Sequence, residues 1–124
     1  MIKETITYTD YNGNERTEDF WFHLSKAELT KMELSTTGGL SEYLKRIIDA
    51  QDGKTLVTIF EDLILKSYGE KSADGKRFIK SKELSEAFSQ TEAYSNFFMK
   101  LATDDEAAIK FINGVVPADL SENA

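Results

Sequence analysis

A change of hydrophobic period near residue 24 most constrains what this chain can fold into. From Ile2 to Thr9 the pattern has period two: Ile2, Glu4, Ile6 and Tyr8 alternate with Lys3, Thr5, Thr7 and Thr9. Strict alternation in a run rich in β-formers predicts a half-buried strand. Asp10-Tyr11-Asn12-Gly13-Asn14 follows, and Asn12-Gly13 tolerates the positive φ of a tight reversal. A return strand then includes Thr17 to Phe22, with Phe20 and Phe22 on one face and Trp21 on the other. Residues 2 to 24 therefore read as a β-hairpin. An isolated hairpin is marginal in water, so it must pack on the remainder of the chain or on another subunit.

From Ser25 onward the period is helical. Ser25-Lys26-Ala27-Glu28 has the spacing of a capping box, with Leu24 and Leu29 as its hydrophobic staple. This short helix ends before Thr36-Thr37-Gly38-Gly39. A second helix is expected over about Leu40 to Gln51, where Leu40, Tyr43, Leu44, Ile47 and Ile48 share one stripe. Gly53 reads as a stop, and Leu56, Ile59, Phe60, Leu63 and Ile64 as the stripe of a third helix. Gly69 then stands where a left-handed C-terminal cap is expected. The polar stretch from Glu70 to Lys80 reads as a loop or a small extended arm. A fourth helix follows Ser81, with Leu84, Ala87 and Phe88 inward. Gln90 or Thr91 opens a fifth, carrying Tyr94, Phe97, Phe98 and Leu101. Thr103-Asp104-Asp105-Glu106 repeats the capping-box spacing before Ala108, Phe111 and Ile112, and Gly114 with Pro117 stops that helix. The expected class is α+β, mainly α: an N-terminal hairpin and about five or six short helices in one compact domain over 1–117, helical over 25–117, with 118–124 a frayed tail.

Composition narrows the chemistry. The 124 residues include no cysteine and one histidine, His23, so thiolate nucleophiles, disulfides and His-rich metal cages are excluded. The net charge of −7 disfavours nucleic acid and anionic membranes as partners. No apolar run approaches the length that spans a bilayer, and Met1 to Thr5 lacks a signal-peptide pattern, so a cytoplasmic site of action is expected. Gly53-Lys54-Thr55 resembles the end of a phosphate-binding loop, but Ile48 occupies the position that needs the first glycine. Asp104-Asp105-Glu106 reads as the acidic first turn of a helix rather than a cation site. His23 has no partner at a recognisable catalytic spacing. The expectation is no enzyme, no metal and no cofactor.

Charge and aromatics are unevenly distributed. Residues 70–82 carry Lys71, Lys76, Arg77, Lys80 and Lys82 for a local balance of +3, while residues 83–124 stand at −6. That asymmetry suggests head-to-tail self-association, with the basic arm of one subunit meeting the acidic helices of the next. Phe78, Phe88, Tyr94, Phe97, Phe98 and Phe111 crowd into the last third. Helices this short cannot bury them all, so some apolar surface is expected to remain exposed.

The run Phe60-Glu61-Asp62-Leu63-Ile64-Leu65-Lys66-Ser67-Tyr68-Gly69, followed by Ser72 to Lys80, resembles the tail assembly chaperones of long-tailed bacteriophages of siphovirus and myovirus type. So do Phe88 to Ser95, Phe98 to Asp104, and Ala108 to Pro117, which ends Phe111-Ile112-Asn113-Gly114-Val115-Val116-Pro117. The resemblance covers about residues 40 to 120, and nothing is carried onto the hairpin. It implies a small helical protein of the host bacterial cytoplasm that coats the tape measure protein, keeps it soluble and assists tail tube polymerisation. It also implies that the chain is absent from the mature virion and has no active site. The implied partners are the tape measure protein, the major tail protein, a longer frameshift product of the same gene, and further copies of the chain. Ending at Ser121-Glu122-Asn123-Ala124, the sequence would match the short form. Phe78, Phe97, Phe98 and Phe111 are the residues expected to supply either core or partner contacts. Two other classes compete: a structural tail or connector component, whose hairpin adds to a neighbour's sheet, and a small acidic inhibitor of a host protein.

Overall fold

The structure is a computed structural model that describes residues 1–31 and 53–115. Strands β1 (Ile2–Thr9) and β2 (Glu15–Phe22) form the expected hairpin. They pair antiparallel from Ile2↔Phe22 to Thr9↔Glu15. Asp10 closes the turn. Its N–H donates to the Asn14 carbonyl at 2.8 Å, and its Oδ1 accepts from the N–H groups of Asn12 and Asn14, both at 2.9 Å. Gly13 supplies the φ of +85° that the reversal requires.

Helix α1 (Lys26–Lys31) begins as its capping box predicts. Ser25 Oγ accepts from the Glu28 N–H at 3.2 Å, and Glu28 Oε1 accepts from the Ser25 N–H at 3.0 Å. Leu24 and Leu29 are both buried, completing the staple. The expected helix over 40–51 lies outside the described residues. Helix α2 (Gly53–Ser67) includes Gly53, which the sequence reads as a stop for a helix that lies outside the described residues.

The end of α2 also departs from expectation. Gly69 is not a left-handed cap; it belongs to strand β3 (Tyr68–Lys71), which pairs with β2. The terminal carbonyls of α2 find side-chain and strand donors instead. Ser67 Oγ donates to Leu63 at 2.7 Å, Ser85 Oγ to Leu65 at 2.9 Å, and the His23 N–H to Ser67 at 2.8 Å. With its carbonyls satisfied, the chain needs no left-handed residue and runs directly into the sheet. A Cβ on Gly69 would lie 2.7 Å from the Ile79 carbonyl oxygen, so close strand approach is what requires glycine here.

The polar stretch after Gly69 is a second hairpin. Strand β4 (Phe78–Ile79) pairs back on β3, making a four-stranded antiparallel sheet in the order β1-β2-β3-β4. Helices α3 (Lys82–Ser89), α4 (Glu92–Thr103) and α5 (Asp105–Val115) follow, giving five helices among the described residues. Ser81 and Thr91 cap α3 and α4 by accepting from the N–H groups of Leu84 and Tyr94. The cap of α5 is Asp104 rather than Thr103: Asp104 Oδ1 accepts from the Glu106 and Ala107 N–H groups at 3.1 and 3.2 Å. Thr103 completes the last turn of α4, its hydroxyl donating to the Met99 carbonyl. Gly114 sits within α5 rather than ending it; Pro117 lies outside the described residues.

One face of the sheet carries the core. Phe22 is fully buried, stacked on Phe97 at 5.2 Å and edge-on to Phe111 and Phe88 at 5.3 and 5.8 Å. Burial of a side chain this size stabilises by roughly 1.5–3 kcal/mol. Phe60, Leu63, Ile64, Leu101, Ala108, Ile112 and Val115 enclose this aromatic centre. Ala87, expected inward, is exposed: α3 presents Leu84 and Phe88, four residues apart, and Ala87 lies off that line. The ends of the first and last described elements also meet. The Leu24 N–H donates to the Val115 carbonyl at 2.7 Å, and Ile2 lies against Gly114.

Candidate functional site

The residues singled out as partner contacts part company in the fold. Phe97 and Phe111 are 2% and 1% exposed, packed edge to face at 5.1 Å and both in contact with Phe22. Neither offers surface to another molecule. Phe98 is half-buried, its ring edge-on to Tyr94 at 6.0 Å. Phe78 is half-buried at the far side of the sheet, edge-on to His23 at 6.1 Å. Among the described residues, the large apolar side chains that do stand in solvent are Val57 on α2 (47%) and Met99 on α4 (53%), with Tyr11 at the hairpin tip and Met1. Sequence reasoning expected surplus surface among the phenylalanines; four strands and five helices bury more of them than short helices alone would. Met99 was legible as the residue next to Phe98 that falls off the inward stripe.

The basic residues do not form one continuous patch. Lys80 is half-buried, donating to the His23 carbonyl at 2.6 Å and pairing with Glu28 Oε2 at 2.5 Å. Lys71 Nζ rests 3.9 Å above the Trp21 ring. Lys82 lies 3.8 Å from Glu86, one helical turn on. Lys76 and Arg77 remain exposed at the β3–β4 turn, where Asp74 Oδ1 and Ser72 Oγ accept their backbone N–H groups.

His23 is set by its surroundings. Its Nδ1 is buried and lacks a hydrogen-bond partner. Burial, the N-terminal ammonium and Lys80 push its pKa down, with Glu28 opposing. Burial is the largest single influence on Glu28 and works against its acidity, but the hydrogen bonds and charge of Lys80 together with the hydrogen bonds to Ser25 outweigh it and leave the pKa below the ordinary value. No grouping of three or more His, Cys, Asp or Glu side chains able to hold a metal occurs among the described residues. Gly53-Lys54-Thr55 is the first turn of α2, and the position of the missing loop glycine lies outside the described residues. No described helix is long and apolar enough to cross a membrane.

Against this geometry the comparison with known families is decisive. The phage tail assembly chaperone family matches residues 1–124, the whole chain. The chain belongs to that family. The match takes in the β1–β2 hairpin, which the resemblance over about 40–120 left aside. Membership in a chaperone family points to a non-enzymatic role in tail assembly, with tail-related partners. No curated protein and no solved structure matches this tail assembly chaperone.

Proposed function

We propose that this chain binds the tape measure protein during tail assembly, keeps it soluble, and assists the major tail protein in polymerising around it. The family match over the full chain is the observation that carries this reading. It acts in the host bacterial cytoplasm and leaves before the virion is complete. A chaperone of a long apolar client needs apolar contact area on a soluble exterior, with contacts that release. Val57, Met99 and the exposed part of Phe98 suit that requirement, and the net charge of −7 keeps the unloaded protein dispersed. Lys76 and Arg77 at the β3–β4 turn are the arm residues open to a second copy or to a longer frameshift product. Phe78 borders the same hairpin.

Co-purification tests the reading. A tagged chain expressed with the tape measure protein should retain it, and Met99→Ser with Phe98→Ser should release most of it while circular dichroism stays unchanged. Recovery of this chain as a stoichiometric component of finished virions, with no tape measure protein retained in the co-expression, would contradict the reading.

A further inference from the structure

The ends of α2 and β4, the start of α1 and the N-terminus converge on His23, directly after β2. Its N–H donates to the Ser67 carbonyl of α2 at 2.8 Å, and its own carbonyl accepts from Lys80 Nζ at 2.6 Å. The imidazole stands edge-on to the Phe78 ring of β4. Lys80 continues to Glu28 Oε2 at 2.5 Å, which ties the first turn of α1 to the same point.

This setting suits a neutral ring. An imidazolium carries two N–H donors, and both need acceptors. Nδ1 is buried without a partner among the described residues. The charged groups that face the ring are two cations, the Met1 ammonium and Lys80, and one carboxylate, Glu28. That carboxylate is already engaged, by Lys80 at Oε2 and by the Ser25 N–H at Oε1. A proton on His23 therefore places a third positive charge beside two others and leaves a buried donor unmet. The element least able to resist is α1. Its six residues are too few to hold a helix alone, and Leu29 is the one side chain it buries.

We propose that His23 is a proton-operated latch on α1. With the ring neutral, Lys80 holds Glu28 and the His23 carbonyl, and α1 is closed onto the core. With the ring protonated, Lys80 is repelled, α1 swings out and Leu29 enters solvent, while the core around Phe22 stays packed. The chain then displays an apolar side chain that it otherwise hides, so the surface offered to a partner depends on the proton. The latch belongs to the fold and stands whichever client the chain binds.

Amide hydrogen exchange of the intact chain tests the latch. It is read at the Leu29 N–H, which bonds to the Ser25 carbonyl, and at the Phe97 N–H within α4. In urea below the unfolding transition, Leu29 exchange should stay constant while Phe97 exchange accelerates, because opening α1 exposes little surface. Leu29 protection should fall between pH 7.5 and 5.5, toward the limit of about tenfold set by a freed imidazole titrating near 6.5. His23→Gln should abolish that fall, acetylation of the Met1 amine should preserve it, and Lys80→Met should lower Leu29 protection already at pH 7.5. The urea and pH readings on the wild type need no variant. Parallel acceleration of Leu29 and Phe97 in urea would overturn the proposal, since α1 would then open only with the whole fold. Leu29 protection that is equal at the two pH values would overturn it too. So would a fall that persists in His23→Gln or vanishes on acetylation, which would assign the proton to another group.

Discussion

Lys80 Nζ lies 2.5 Å from Glu28 Oε2 and reaches the His23 carbonyl oxygen as well, so one ammonium joins the segment after β4 to the first turn of α1 and the end of β2. Glu28 in turn holds the Ser25 N–H. A residue that composition assigns to a basic arm thus fastens two distant parts of the chain together.

Lys80→Met should therefore lower stability by about 1 kcal/mol, an amount discounted for the partial exposure of both side chains. Lys76→Met, at an exposed turn, should change it negligibly. Urea midpoints measure the difference. Glu28→Gln should cost a similar amount at neutral pH. Because the folded pKa of Glu28 is depressed, that cost is present above the unfolded value near 4.5 and fades as pH falls below it.

His23 gives a pH dependence in a higher window. Burial, aided by the N-terminal ammonium and Lys80, holds its folded pKa below the unfolded value of about 6.5. As pH falls through 6.5 the unfolded chain takes up a proton first. Stability is full above that pH and declines below it, until the folded form protonates too. The urea midpoint of the wild type should drop between pH 7.5 and 5.5, and His23→Gln should show a smaller drop over the same interval.

Gly69→Ala should be disruptive despite the small change. The added Cβ would meet the Ile79 carbonyl oxygen and the Phe78 ring, each at 2.7 Å, and a backbone oxygen cannot swing aside. A loss of about 1–3 kcal/mol is expected from such overpacking. Thermal melts of the variant check it.

Much of this fold was legible because the deciding interactions are local. The period-two run of Ile2 to Tyr8, the box of Ser25 and Glu28, and the caps at Ser81 and Thr91 each lie within a few residues of their partners. The second hairpin was not legible. Strand β3 forms because His23 and Ser85, far away in sequence, satisfy the carbonyls that Gly69 was expected to serve. The division of the phenylalanines was hidden for the same reason. Phe97 and Phe98 are neighbours in sequence, and only the position of Phe22 across the fold decides which one is core.

That division makes a direct mutational contrast. Phe97→Ala and Phe111→Ala should each cost about 3–5 kcal/mol, since both leave a cavity beside Phe22. Phe98→Ser should cost about 1 kcal/mol, in keeping with a side chain only partly removed from water. Chemical denaturation of the three variants separates core from surface.

Chaperone action itself is tested most directly by the soluble fraction of the tape measure protein, expressed in bacteria with and without this chain. The tape measure protein should be mostly insoluble alone and mostly soluble with the wild-type chain. It should return to the pellet with the folded Phe98→Ser, Met99→Ser variant. Equal solubility of the tape measure protein with and without the wild-type chain would contradict the account.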